Sequence, residues 1–375
     1  SNMTLGQMAS VDVGDIQLDA DEIDLNKKII HLDRFESDNT MISYHQMRSQ
    51  QEEKDSKDQI SPVEEPVSFF LPWSVTLDEL SLVNNGVQYH DFNQPVQKGS
   101  FDYNHFWIFG IAASANDLQA EGSNANLDLT RLSFEEKGGF GLQSVSAIIE
   151  VSEQEISLEK LLVNSNTSRL AMSAHAKFQS LATIQENYPT AQVSWDIYES
   201  FVSLKDVLFF APHLIDSLPL RFPPSTGMLI NTSASGQVDN LTISKLDVLS
   251  LDSTVLNIHG TIKGLPEMNL AVMNLTLDKF HTTRRDMSMI LPDSLMPTSL
   301  ELPVWVNVEG KFNGSINIPR INAIITSSSG MIEAGGQLNL NNGNRYEAVI
   351  KASKLNVGQI LKQKEIGMID FQTSV

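Results

Sequence analysis

Eight histidines, His31, His45, His90, His105, His175, His213, His259 and His281, are the first residues to weigh for acid–base or metal chemistry. No two of them fall in an HExxH pattern or any other spacing that would set two imidazoles on one ion. Surface or turn positions account for each. The chain has no cysteine, which removes disulfides, thiolate nucleophiles, zinc ribbons and iron–sulfur centres together. No GxSxG, no phosphate-binding loop and no GxGxxG followed by an acid is present. Gly138-Gly139-Phe140-Gly141 is rich in glycine but stands between two strand patterns, where it predicts a hairpin turn. Carboxylates lie close in sequence at Glu135-Glu136 and at Asp19 and Asp21. A glycosidase needs two that face each other across a cleft; among apolar neighbours, these predict solvated strand faces. The expectation is a protein that is not an enzyme, with no metal site and no cofactor.

The elements around these residues are strands. Val145, Ala147, Ile149 and Val151 alternate with polar residues, as do Val193, Trp195, Ile197 and Val304, Val306, Val308. Period two of this kind gives strands with one apolar and one wet face. Turn signals separate them at Asn93-Gln94-Pro95, Lys137-Gly138-Gly139 and 341–344. Helical signals are few and short, near 203–210, 284–291 and 356–362, the first two closed by Pro212 and Pro292. Residues 49–66 are charged and almost free of large apolar side chains, and predict a mobile loop or linker.

A unit of strands plus one short helix recurs. Gly236-Gln237-Val238-Asp239-Asn240 aligns with Gly310-Lys311-Phe312-Asn313-Gly314, and a fainter copy precedes it. The spacing predicts 1–48 as N-terminal strands, 49–66 as the acidic loop, 67–200 as a β-rich repeat region, 201–282 as a second repeat and 283–375 as a third, cut short. Stacked repeats make elongated structures. The fold class expected is mostly β, an elongated curled antiparallel sheet forming a half-pipe groove, with a few short helices. Ser1-Asn2 ahead of Met3 resembles a tag remnant, and both ends read as cut. No apolar run approaches the roughly 20 residues of a spanning helix. Twenty-six Lys and Arg against 46 Asp and Glu leave a net charge of −20, the wrong sign for a nucleic-acid partner.

Several weak signatures stand in one order: Pro72-Trp73-Ser74-Val75, Phe101-Asp102-Tyr103-Asn104-His105, Leu132-Ser133-Phe134-Glu135-Glu136-Lys137-Gly138-Gly139-Phe140 and Leu161–Leu170. Leu302-Pro303 entering a strand, and Val357-Gly358-Gln359-Ile360-Leu361 in the last helix, follow. Together they resemble TamB-like (translocation and assembly module) proteins of the AsmA-like superfamily, in the form common in Bacteroidetes, over almost the whole chain. The family pattern is roughly L-S-F-x-E-K-S-G-F, and this chain has Gly138 where Ser is usual. The resemblance implies a periplasmic protein held to the inner membrane by an N-terminal anchor absent here. It implies a β groove, apolar inside, that serves outer-membrane biogenesis, either by carrying phospholipid acyl chains between membranes or by helping outer-membrane proteins assemble. The partner it implies is an outer-membrane assembly protein of the BamA/TamA type.

In such a groove the rows Val193, Trp195, Ile197; Leu270, Val272; and Val304, Val306, Val308 are the candidates for lipid contact. Ordinary core packing beneath a helix is the competing account of any one row. Competing functions are a scaffold or chaperone for outer-membrane protein assembly and secretion that carries no lipid, and a structural or adhesive β-repeat protein. A right-handed β-helix fits poorly, because its rungs run to roughly 20–29 residues.

Overall fold

A computed structural model describes residues 6–47, 71–214, 221–223, 225–292, 299–341, 345–363 and 365–374. The acidic stretch 49–66 lies outside the described residues. Strand accounts for 67% and helix for 9%, in a mixed, open arrangement that does not close into a barrel. The fold is mostly β, as the period-two patterns predict. The chain divides into two compact units, Ser1–Glu186 with Asp206–Pro212, and Asn187–Lys205 with His213–Val375.

The first unit opens with β1 (Gln7–Asp12), β2 (Asp15–Asp24), β3 (Ile29–Asp38) and β4 (Met41–Gln46). The long β5 (Leu71–Asp91) and β6 (His105–Gly122) follow, then β7 (Asn124–Glu136), β8 (Gly141–Val151), β9 (Glu155–Ser165) and β10 (Arg169–Lys177). From β5 to β10 each strand runs antiparallel to the next. β3 and β4 instead lie parallel to successive halves of β5, so the sheet is mixed rather than purely antiparallel. The join between those halves is a crease. Asn39 and Asn84 take positive φ there, and Asn85 accepts hydrogen bonds from the Ser37 hydroxyl (3.0 Å) and the Thr40 amide (2.9 Å) while donating to the Ser37 carbonyl (2.9 Å).

After β10 comes a short helical connection that includes α1 (Ile184–Asn187); its start is capped by the Ser180 hydroxyl, which accepts from the Ala182 amide, and it lies outside the three helical positions predicted from sequence. The second unit holds β11 (Gln192–Ser203), and α2 (Leu204–Phe210) follows that strand in sequence. Then come β12 (Gly227–Gln237), β13 (Asn240–Ser250), β14 (Thr254–Lys263), β15 (Val272–Thr283) and α3 (Arg284–Ile290). A last set comprises β16 (Trp305–Ser315), β17 (Ile318–Ser327), β18 (Gly330–Asn339), β19 (Arg345–Asn356), α4 (Val357–Ile360) and β20 (Met368–Ser374). All neighbours from β11 to β20 pair antiparallel.

The repeat is four strands and a helix: β8–β11 with α2, β12–β15 with α3, and β16–β19 with α4. The structure shifts the alignment by four residues. Gly236 corresponds to Gly314, not Gly310: both take positive φ (131° and 111°) at the same step before a hairpin turn. A Cβ there would come within 2.6 Å of the Asn240 carbonyl oxygen or 2.5 Å of that of Ile318. Glycine is therefore required at both places.

Candidate functional site

Antiparallel register carries one side-chain row across nine strands of the second unit. It runs from Trp195 through Ala234, Ile243, Gly260, Leu275, Phe312, Ile321 and Gly336 to Ala348. Every member is apolar or glycine. The adjacent row, one residue along each strand, runs Ser194, Ser235, Thr242, Thr261, Asn274, Asn313, Arg320, Gln337 and Glu347. Every member is polar or charged. Because side chains alternate between faces, the two rows define an apolar and a polar side. The first unit repeats the pattern, with Leu127, Ile149, Leu158 and Ala174 in one row and Asn126, Glu150, Ser157 and His175 in the next.

Of the sequence candidates, Val193, Trp195 and Ile197 share this face with Val306 and Val308. Val193 opposes Gly236 and Ile197 opposes Thr232, while Val308 sits between Phe280 and Ile325 and Val306 between Thr282 and Ser327. Three candidates do not join it. Val272 opposes Lys263 and Ser315, on the polar side, and is 52% exposed, whereas its neighbour Met273 turns inward at 9%. Leu270 and Val304 lie just outside their strands and are exposed.

Among the described residues, the large side chains of the apolar face are mostly not fully buried. A packed second layer would bury its large side chains completely. Only Leu241 and Met273 are buried among them; Trp195, Ile243, Leu275, Phe312 and Ile325 each keep part of their surface in solvent. The bulkiest fully buried side chains in the described protein are Asp286 and Ser200, both polar. The opposite face is not uniformly wet, since Phe201, Leu229 and Leu249 form a short exposed apolar row near its helical end. A hollow of about 700 Å³ also lies on that side, bordered by Asp278, Glu309, Lys311, Gly335 and a Glu333–Lys351 ion pair at 3.3 Å.

Short helices are tied to the sheets by carboxylates that sequence alone did not single out. Asp206, third in α2, accepts from the hydroxyls of Ser165 and Ser168. Asp286, third in α3, accepts from the amide (3.0 Å) and hydroxyl (3.2 Å) of Ser253 and the Thr254 hydroxyl (2.8 Å). The only available signal was a serine immediately before the third strand of each repeat: Ser168, Ser253 and Ser329.

No family model, no curated protein and no solved structure matches the chain.

Titratable groups gather at one place in the first unit. His45, His90 and His105 are in register on β4, β5 and β6, with the His90 and His105 rings 4.4 Å apart. His105 Nδ1 donates to Asp102 Oδ2 at 3.0 Å. Burial opposes the Asp102 charge, but the Gln97 and Asn104 amides and His105 outweigh it and hold the carboxyl below its usual range. Burial, with His105 and His45 alongside, pushes the His90 pKa below its ordinary value. An Asp–His pair is two-thirds of a hydrolytic triad. Ser100 lines the same pocket, yet its hydroxyl makes no hydrogen bond, so no activated nucleophile is assembled. Among the described residues no group of three or more His, Asp or Glu could hold a metal ion, and no helix is long and apolar enough to cross a membrane.

Proposed function

We propose that this protein holds phospholipid acyl chains along the apolar face of its sheets, as a bridge-like component of outer-membrane biogenesis in the periplasm, anchored in full length to the inner membrane. The supporting observation is an unbroken apolar row nine strands long on a face whose large side chains, among the described residues, mostly stay part-exposed. At about 4.8 Å per strand such a row extends roughly 38 Å. A lipid tail spans about 15 Å, half the bilayer core, so one unit has room for a tail along or across its strands. Each CH₂ laid on the face contributes about 0.8 kcal/mol without directional contacts, which suits retention of varied lipids rather than selection of one. The order of signatures that resembles TamB-like proteins points the same way, and an assembly protein of the BamA/TamA type is the partner that follows from it.

Ile324 and Ile325 are adjacent and face opposite sides, Ile324 opposite Glu309 and Glu333, Ile325 opposite Val308 and Ile332. A photo-crosslinking residue at 325 is expected to label phospholipid in vivo, and the same residue at 324 is expected not to. Equal labelling at both, or none at 325, overturns the proposal.

A further inference from the structure

We propose that a second, separate site in the first unit binds a phosphate-type oxyanion, in the pocket between the 92–104 loop and the ends of β5, β6 and β7. The pocket has a volume of about 300 Å³ and is lined by Lys98, Ser100, His90, Gln88 and Lys137, with Asp102, His105 and Glu136 at its wall. Two exposed lysines bordering one hollow stand out in a chain of net charge −20. Neither forms an ion pair with a carboxylate among the described residues; Lys137 instead rests 5.6 Å from the centre of the Trp107 ring.

The two carboxylates at the site are already occupied. Asp102 takes the Gln97 amide (2.7 Å), the Asn104 amide (3.0 Å) and His105, and Glu136 takes the Gly138 amide. The donors left over are what a ligand would meet. Ser100 is only 6% exposed, and its hydroxyl is buried without a partner. Leaving a buried hydroxyl unsatisfied costs about 1–3 kcal/mol, which an acceptor in the pocket would recover once the Ser100 side chain turns toward it. His90 and Gln88 line the same hollow and carry further N–H groups. Two ammonium groups, a hydroxyl, an imidazole and an amide exceed what the two oxygens of a planar carboxylate can use; a tetrahedral oxyanion can take them. The volume leaves space for a substituent on that phosphoryl group. Phosphate as a free ion and phosphate in a glycerophospholipid head group share this chemistry. The histidines do not carry the proposal, and it holds or fails independently of the apolar face.

The test is calorimetric titration of the whole chain, at fixed ionic strength, with inorganic phosphate, sulfate, acetate and glycerophosphoglycerol. Phosphate and sulfate are expected to bind at least tenfold more tightly than acetate. Lys98→Met with Lys137→Met, which keeps the aliphatic stems, is expected to weaken binding at least tenfold, and Ser100→Ala about threefold. Tighter binding of glycerophosphoglycerol than of phosphate supports the site as a head-group station; the reverse order supports it as a site for free phosphate. Absence of binding by all four, acetate binding as well as phosphate, or unchanged affinity in the double lysine variant while its melting curve stays native, overturns the proposal.

Discussion

Asp206 and Asp286 hold the same place in successive repeats. Each is the third residue of its helix, and each reaches back to the turn between the second and third strands of its repeat, at Ser165 and Ser168 or at Ser253 and Thr254. A helix of seven residues is too short to be stable alone. Its place is set by that carboxylate, which satisfies turn donors while its own charge is stabilised by them.

Asp286→Asn is expected to destabilise the second unit by roughly 2 kcal/mol, because the amide turns a donor toward groups that already donate. Burial opposes the Asp286 charge, but the hydrogen bonds from Thr254, Ser253 and Asp252 outweigh it and keep the carboxyl below its usual range. A folded value below the unfolded one, about 3.9, adds stability that is complete above that pH and is lost as pH falls through the folded value. Urea midpoints measured from pH 6 to pH 2.5 should therefore fall more steeply in the native chain than in Asp286→Asn. Parallel slopes would show that Asp286 is not the group responsible.

The third repeat has lost this tie. Gln359 stands third in α4 where the others have aspartate, and the hydroxyl of Ser329 is buried with no partner. Ser253→Ala is expected to cost about 1–1.5 kcal/mol. Ser329→Ala is expected to be neutral or to stabilise by up to about 1 kcal/mol, since it removes an unpaired polar group. Denaturant melts of the two variants check the contrast, and equal losses would refute it.

Asn85 bridges the crease in β5 through three hydrogen bonds. Asn85→Leu leaves the Ser37 hydroxyl, the Thr40 amide and the Ser37 carbonyl without this partner in a site where Asn85 itself is 9% exposed. A loss of roughly 3 kcal/mol follows. Hydrogen exchange at the Thr40 amide should accelerate in this variant, and unaltered protection there would argue against the bridge.

Val306 lies on the apolar face between Thr282 and Ser327, part-exposed and near hydroxyls. Val306→Asp can reach water from such a position, so about 1 kcal/mol of destabilisation is expected, where a sealed core would lose several. Lipid recovered with the purified protein, read by native mass spectrometry, should fall sharply. A variant that unfolds outright would place Val306 in a closed core.

Alternation made the two faces legible because each strand carries its own record of which side is wet. Helix positions were legible from Pro212 and Pro292, which close them. Parity failed where both parities are apolar: Ala271, Val272 and Met273 stand together, and only the pairing of Met273 with Ile262 and Gly314 shows which one turns inward. Parity also slips at bulges. Between Ile197 and Ser200 the register shifts, with Glu199 at φ 45°, so Ser200 takes the inward place that a strict period of two gives to Glu199. The Asp286–Ser253 tie spans 33 residues, and nothing in local pattern encodes a contact between a helix and a turn that far apart.

Pairing between neighbours in sequence has a kinetic meaning. From β5 to β10, and again from β11 to β20, each strand bonds to the one made just before it. Most of these pairings close loops of a few residues, at small entropic cost, the longer connections being those before β6, β12, β16 and β20. Such local order favours rapid folding for a β protein. A chain entering its compartment N-terminus first can zip strand upon strand as it emerges. The parallel docking of β3 and β4 on β5 is the exception, for Ile29 must wait for Ser74 and Met41 for Gly86, about 45 residues farther on in each case. During that wait β3 and β4 expose the edge that β5 will take, while the aspartates from Asp12 to Asp24, on β1 and β2, charge the opposite edge and keep it from capturing another chain.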